Sequence, residues 1–306
     1  MEYVLKTYNL TKRYRGTSVV DNINMNIKKG EIYGFLGRNG AGKTTTLRMI
    51  MGLIFPTKGE YEIFGKNMGN RDVLGRIGAI IETPGFYPNL TARENLDIHR
   101  RMMGVPNKEY IDEALEIVGL NNYDIKKKKV KKYSLGMKQR LGVARALLHK
   151  PEFLILDEPT NGLDPVGIKE MRETLLELNK KKEITILISS HILGEIQQIA
   201  TNIGIIHNGR LLEEIDYNSF QKNNRHYINL RISDGKRAVT ILEKEMNVRD
   251  YEVISPNRIK IYEMLDKSND IAKKMISKEI DVYEVNIMND TLEDYFVKLT
   301  GGGQSA

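Results

Sequence analysis

Residues 37–45 read GRNGAGKTT. A glycine-rich run closing on Lys-Thr, in the pattern G-x-x-x-x-G-K-[ST], is built for phosphate. Gly37, Gly40 and Gly42 let the backbone curl until its N–H groups face phosphate oxygens. A helix opening at the end of the run adds its dipole to that attraction. Lys43 is placed to reach β- and γ-phosphates, and the Thr44 hydroxyl to hold Mg²⁺. Arg38, Asn39, Ala41 and Thr45 complete the cradle. In another setting these residues would be a flexible turn with a chance Lys-Thr. Here the apolar run IYGFLG precedes them and a helical pattern follows, which is the setting the motif requires.

Downstream, FLILDEP ends an apolar run in two adjacent acids. Asp157 suits the Mg²⁺ side of a bound nucleotide, and Glu158 can polarise a water for in-line attack on a γ-phosphate. Two such acids can also do no more than cap a turn. The phosphate loop upstream weighs against that, because ligands gather at the carboxyl ends of parallel strands. His191 follows another apolar run, ITILISS, where its side chain can reach a γ-phosphate. A lone histidine at a strand end is ordinarily structural. Tyr14, in KRYRG and 23 residues before Gly37, can stack on a base through its π-face.

These residues need a scaffold that places strand ends together. The apolar runs at 32–37, 77–81, 153–158, 184–189 and 203–207 are short and β-branched, as in buried parallel strands. Helical patterns such as GKTTTLRMIMGLI and VGIKEMRETLLELNKKK lie between them, so the expected fold is an α/β core. Residues 1–30 and 59–65 alternate instead, which predicts a small antiparallel sheet. About 85–149 reads as a helical subdomain. YNSFQKNNR, at 217–225, reads as a polar boundary that ends a first domain at 216. Residues 226–299 then give β-α-β-β-α-β plus a helix, the order of a small ferredoxin-like α+β domain. GGGQSA, in 300–306, reads as a flexible tail.

Composition narrows the function. The chain has 306 residues, net charge +7 and no cysteine, so disulfide and thiol chemistry are excluded. Eight Lys and Arg residues fall in 126–140, KKKKVKKYSLGMKQR; without them the +7 becomes −1. Basicity confined to one segment argues against a nucleic-acid-binding face. The lysine run is read as a solvated lead into the next helix, with contact to anionic lipid headgroups as the alternative. MEYVLKTYNL lacks the apolar core of a signal peptide, and no run approaches 18 apolar residues. Any membrane work therefore needs a separate subunit.

The order of these motifs resembles the nucleotide-binding subunit of ABC transporters. An aromatic before the loop, GRNGAGKTT, YSLGMKQR, LILDEP, NGLD and a strand-end histidine occur in family order over roughly residues 1–215. The resemblance implies a P-loop NTPase core of ABC type with antiparallel and helical subdomains. It implies ATP and Mg²⁺ as cofactors, with Thr44, Asp157 and Glu82 on the metal side. Lys43, Glu158 and His191 would serve hydrolysis.

YSLGMKQR aligns with the family signature, usually Leu-Ser-Gly-Gly-Gln. Ser134 and Gly136 match, Leu135 stands where Gly is usual, Tyr133 replaces Leu, and Met137 replaces Gln. The resemblance implies that Ser134, Leu135, Gly136 and Met137 bind the γ-phosphate held by a second copy. A hydroxyl beside free N–H groups at a helix start is physically an anion site. Gln139 and Arg140 would support that helix. Asp164 is implied at the dimer seam, and it is equally placed to cap a helix beginning at Pro165. Glu82, where the family usually has Gln, opens the segment that links the γ-phosphate to the helical subdomain. It is implied to be a coupling residue.

The family reading is therefore an ATPase, working as a homodimer with a polytopic membrane permease at the cytoplasmic face of the cell membrane. Glu82 and the stretch from YSLGMKQR to NGLDP resemble the subgroup that exports bacitracin-type and lantibiotic peptides. The alternatives are a soluble ATPase of this type acting on nucleic acid or ribosomes, and a P-loop kinase. No second cassette is visible for the first, and the signature and His191 argue against the second.

Overall fold

The computed structural model describes residues 2–67, 71–82, 84–222, 226–289 and 292–299. The tail expected at 300–306 lies outside these. The chain divides into two compact units, Met1–Asn218 and Ser219–Ala306.

In the first unit β1 (Tyr3–Tyr14), β2 (Thr17–Ile23) and β3 (Asn26–Lys28) precede β4 (Ile32–Leu36), which runs into the phosphate loop and α1 (Lys43–Ile50). Then come β5 (Lys58–Ile63), β6 (Lys66–Asn67) and β7 (Ile77–Ile80). Four helices follow: α2 (Ala92–Met102), α3 (Glu109–Ile117), α4 (Tyr123–Lys127) and α5 (Leu135–Leu147). The core resumes with β8 (Phe153–Asp157), α6 (Pro165–Lys182), β9 (Thr185–Ser190), α7 (Leu193–Gln197), β10 (Asn202–His207) and β11 (Arg210–Asp216). The next element is a short helix, α8 (Tyr217–Lys222), within the stretch that reads as a polar boundary.

Two sheets result. One is antiparallel, β2-β1-β5-β6 with β3 also on β1; the other has the order β11-β10-β4-β9-β8-β7. From β10 to β7 the second sheet is parallel, and β11 closes it as an antiparallel edge. Its central strands are buried along their whole length, which is why they read as unbroken apolar runs rather than alternating ones. A continuous apolar cluster joins Leu5, Tyr61 and Ile63 of the antiparallel sheet, Leu47, Met49 and Ile50 of α1, and Phe35, Phe153 and Leu187 of the parallel sheet. Each such fully buried side chain contributes roughly 1.5–3 kcal/mol. The helix that follows the phosphate loop is thus clamped between two layers.

Helices α2 to α5 form the helical part. A capping box starts α2: Thr91 accepts from the Glu94 N–H and Glu94 accepts from the Thr91 N–H. Arg140 of α5 donates to the Val118 carbonyl at 3.3 Å, just past α3, and pairs with Glu170 of α6 at 3.4 Å. These contacts hold α5 to both its neighbours. Gln139 is buried beside it.

The second unit holds β12 (His226–Ile232), α9 (Gly235–Glu245), β13 (Tyr251–Ser255), β14 (Arg258–Ile261), α10 (Ser268–Ser277), β15 (Val282–Asn289) and α11 (Leu292–Leu299). The strands pair antiparallel in the order β13-β14-β12-β15. Ile228, Leu230, Ile259 and Ile261 pack against Ala238, Ile241, Leu242, Ile271 and Met275 of α9 and α10. Lys260, on the other face of β14, lies 4.2 Å from the Tyr227 ring centre and 3.4 Å from Asp294 of α11. This unit has its own apolar core.

A chain ending at Asn218 is therefore expected to stay soluble, melt cooperatively and bind ATP as tightly as the full chain. Calorimetry and titration with a fluorescent nucleotide check this. Loss of binding on shortening would place part of the nucleotide site in the second unit.

Candidate functional site

The phosphate loop is held by its neighbours before any ligand arrives. The Gly37 N–H donates to the Ser190 carbonyl at 3.2 Å, and the Gly209 N–H to the Ala41 carbonyl at 2.9 Å. A side chain at Gly37 would sit 2.4 Å from the Ile206 carbonyl, and Gly42 has φ +109° with the Val19 carbonyl close by. Only glycine satisfies both the space and the backbone there. Arg38, Asn39 and Gly40 form the exposed crest, while Ala41, Gly42 and Lys43 are buried. The first bond of α1 runs from the Thr46 N–H to the Gly42 carbonyl, so the N–H groups of Lys43, Thr44 and Thr45 precede the ladder and face outward from the helix start.

Lys43 is 5% exposed and spans the loop. Its Nζ donates to the Gly37 carbonyl at 2.6 Å and the Arg38 carbonyl at 3.2 Å, and lies 3.0 Å from Glu158 Oε1. The other oxygen of Glu158, Oε2, lies 2.5 Å from His191 Nδ1. Thr44 Oγ1 donates to Asp157 Oδ2 at 2.8 Å. The structure therefore brings Lys43, Thr44, Asp157, Glu158 and His191 into one contiguous group at the carboxyl ends of β8 and β9.

Glu158 does not continue β8. Its φ is +49°, in the left-handed region, at a cost of about 1–2 kcal/mol for a residue with a Cβ. Its N–H is bonded to the Ser189 carbonyl at 3.2 Å and to Ser189 Oγ at 3.0 Å. These bonds hold the turn that sends its carboxylate toward Lys43 and His191. Thr160 Oγ1 donates to Glu195 Oε2 at 2.6 Å, tying the loop after β8 to α7.

The remaining expected site residues lie elsewhere on the unit. Tyr14 ends β1, is 47% exposed, and has Lys12 Nζ 5.1 Å from its ring centre. It sits where β1 turns into β2, the strand whose Val19 touches the loop at Gly42. Ser134 is the N-cap of α5; its hydroxyl accepts from the Met137 N–H at 3.2 Å. Leu135 rests on Gly162, where an added Cβ would meet it at 2.9 Å, and Gly136 faces Leu163. The bulky residue in place of glycine thus packs on the NGLD loop. Asp164 caps α6, accepting from the Gly167 N–H at 3.0 Å, with Pro165 at the first helical position. Glu82 has φ +67°, and its carboxylate is paired with Arg48 of α1.

Sequence reasoning missed Ser189, Arg48, Thr160 and Glu195. Ser189 carried a signal: a polar residue inside an apolar strand, 0% exposed, needs a partner. Arg48 carried none, because its partner is 34 residues away.

The group can anchor a polyphosphate on Lys43 and the helix start, offer oxygen donors to a small hard cation, and hold a carboxylate ready to take a proton. Thr44 and Asp157 supply a hydroxyl and a carboxylate whose oxygens converge, which fits Mg²⁺. Among the described residues, no group of three or more His, Cys, Asp or Glu could hold a metal.

Residues 20–161 match the family model described as ABC transporter. The chain is 54% identical over 305 residues to the bacitracin transport ATP-binding protein BcrA of Bacillus licheniformis, covering 99% of both chains. It is 47% identical over 214 residues to the lantibiotic transport ATP-binding protein SrtF of Streptococcus pyogenes, covering 70% of this chain and 91% of that one. Among solved structures, it resembles the ATP-binding cassette MJ0796 in a dimeric post-hydrolysis state bound to ADP and Pi. The TM-score is 0.63 at 26% identity, over 70% of this chain and 98% of that one.

Asp164 can be separated into its cap and its charge. Asp164→Asn keeps the cap and should melt like the parent chain. Asp164→Ala should cost about 1 kcal/mol, or about 2–4 °C in melting temperature. An Asn variant that melts normally but loses ATP turnover would show that the charge itself acts at a subunit seam.

Proposed function

The chain belongs to the ABC transporter ATP-binding family, and from that premise we propose that it spends ATP at Lys43, Glu158 and His191 to drive a membrane subunit exporting a peptide antibiotic. Binding and hydrolysis of ATP, partnership with a membrane permease and association in pairs come with the family. The residues, the cargo, the identity of the two copies and the place at the inner membrane face are our assignments. The relatives named for bacitracin and lantibiotic transport support the cargo class. No helix among the described residues is long and apolar enough to cross a membrane, which agrees with a separate permease.

One observation carries the chemistry. Glu158 is held between Lys43 at 3.0 Å and His191 at 2.5 Å, next to the Thr44–Asp157 pair. A γ-phosphate bound beside Lys43 competes with Glu158 for the same ammonium. The freed carboxylate can then accept a proton from water. The water oxygen bonds to the γ-phosphorus as the bond to the bridging oxygen breaks. His191 holds Glu158 in line and can reach the γ-phosphate. Thr44 and Asp157 would hold Mg²⁺, which when bound supplies positive charge to the phosphates. Tyr14 stacks on the base, and Arg38 to Thr45 cradle the phosphates.

A second copy would complete each site with Ser134, Leu135, Gly136 and Met137 at the start of its α5. We place Glu82 in coupling, through its pairing with Arg48, and Asp164 at the seam as well as at the cap. The soluble, nucleic-acid reading is not favoured, since the relatives are transport subunits.

Glu158→Gln should lower ATP turnover about 10²–10⁴-fold. It should leave ATP binding intact or tighter, because the competitor for Lys43 loses its charge. In peptide-sensitive cells carrying the membrane subunit, the parent chain should raise the inhibitory concentration of a bacitracin-type peptide, and the variant should not. Rapid turnover by the variant would remove Glu158 from this role.

Ser134→Arg and Lys43→Ala chains should each be inactive alone. Mixed, they form dimers with one composite site intact, and part of the activity should return. Full activity of the parent chain when dilute enough to be monomeric by light scattering would overturn the shared site.

A further inference from the structure

Ser189 lies at the centre of the parallel sheet, paired with Phe35 of β4 on one side and Asp157 of β8 on the other. It is 0% exposed. Its hydroxyl makes two bonds at once. It donates to Asp157 Oδ1 at 2.6 Å and accepts from the Glu158 N–H at 3.0 Å. The first is a charge-assisted bond to a carboxylate that is itself only 7% exposed. The Asp157 carboxylate is thereby fixed at both ends, with Oδ1 on Ser189 and Oδ2 on Thr44. The second bond acts on the backbone of a residue in the left-handed region, where the chain must be held to stay.

We propose that Ser189 is a positioning residue for the hydrolytic site. One hydroxyl sets the direction of the metal-side carboxylate and the backbone turn of the general base, so that the two acids keep a fixed mutual geometry. This rests on the roles given above to Asp157 and Glu158. Without the hydroxyl, Asp157 is free to rotate about its side-chain bonds and loses a compensating donor in a buried place. The Glu158 N–H keeps only the longer bond, to the Ser189 carbonyl. Both changes reach the loop only through side chains, Asp157 through Thr44 Oγ1 and Glu158 through Lys43 Nζ, and leave its glycines and the carbonyls that hold Lys43 in place. Nucleotide binding that rests on the loop backbone without metal therefore stays as it is, while what depends on Asp157 and Glu158 suffers.

The test compares Ser189→Ala, Ser189→Thr and Glu158→Gln in the full chain. A fluorescent ATP analogue is titrated in EDTA and again at increasing free Mg²⁺, alongside turnover and melting temperature. For Ser189→Ala we expect unchanged affinity in EDTA. The free Mg²⁺ needed for half-maximal tightening should rise about 10–100-fold, and turnover should fall by a similar factor, as for loss of a bond behind a metal ligand. Ser189→Thr keeps the hydroxyl and should restore both. Should Ser189→Ala fail to fold, Ser189→Cys carries the same test, since a thiol is near in size but a much weaker donor. Parent-like Mg²⁺ dependence and turnover in a folded Ser189→Ala or Ser189→Cys chain, with Glu158→Gln inactive, would overturn this inference alone. Rapid turnover by Glu158→Gln would instead overturn the assignment of the base on which it rests.

Discussion

A buried ammonium is costly unless something compensates it, and Lys43 is compensated three times. Two carbonyls of the phosphate loop and the carboxylate of Glu158 surround its Nζ. That one charge links three separate stretches of sequence: the loop, the start of α1 and the end of β8. The loop keeps its curve because its glycines fit against Ile206 and Val19. The strand keeps its place because β9 lies beside it in register. In the reaction proposed above, the lysine also sets the order of events. Glu158 is occupied until a γ-phosphate competes with it for Lys43.

The antiparallel sheet, α1 and the parallel sheet share one apolar cluster. The glycine loop is therefore attached to elements that share a continuous apolar core. A site built on such a base loses little to its own flexibility. Leu135 shows the opposite arrangement. It is 42% exposed and leans on Gly162, so the signature and the NGLD loop rest on each other at the surface.

The core strands were legible in the sequence because parallel strands buried on both faces leave unbroken apolar runs. Lys43, Thr44, Asp157 and Glu158, which the structure brings together, were legible because each lies in a short local motif. The cap at Asp164 was legible from Pro165 beside it. What the sequence hid is of another kind. The left-handed turn at Glu158 is carried by a glutamate, a residue with no such preference, and depends on Ser189 across the sheet. The Arg48–Glu82 pair depends on how α1 is laid against the end of β7. Residues 217–222 form a helix inside the stretch that reads only as a polar boundary. Tertiary context decides such cases, and no local window contains it.

The geometry of α1 sets how a chemical event can be felt at a distance. Lys43 stands in its first turn and Arg48 in its last, ~8 Å apart along the axis at the rise of an α-helix. Leu47, Met49 and Ile50 hold the rod between two sheets, so it can shift as a body but has little room to bend. In the coupling role proposed for Glu82, Arg48 passes such a shift to Glu82, which stands between β7 and the helical part. In mechanical terms that role makes α1 a push-rod. Its stroke is limited by core packing, so any amplification falls to the segment it bears on.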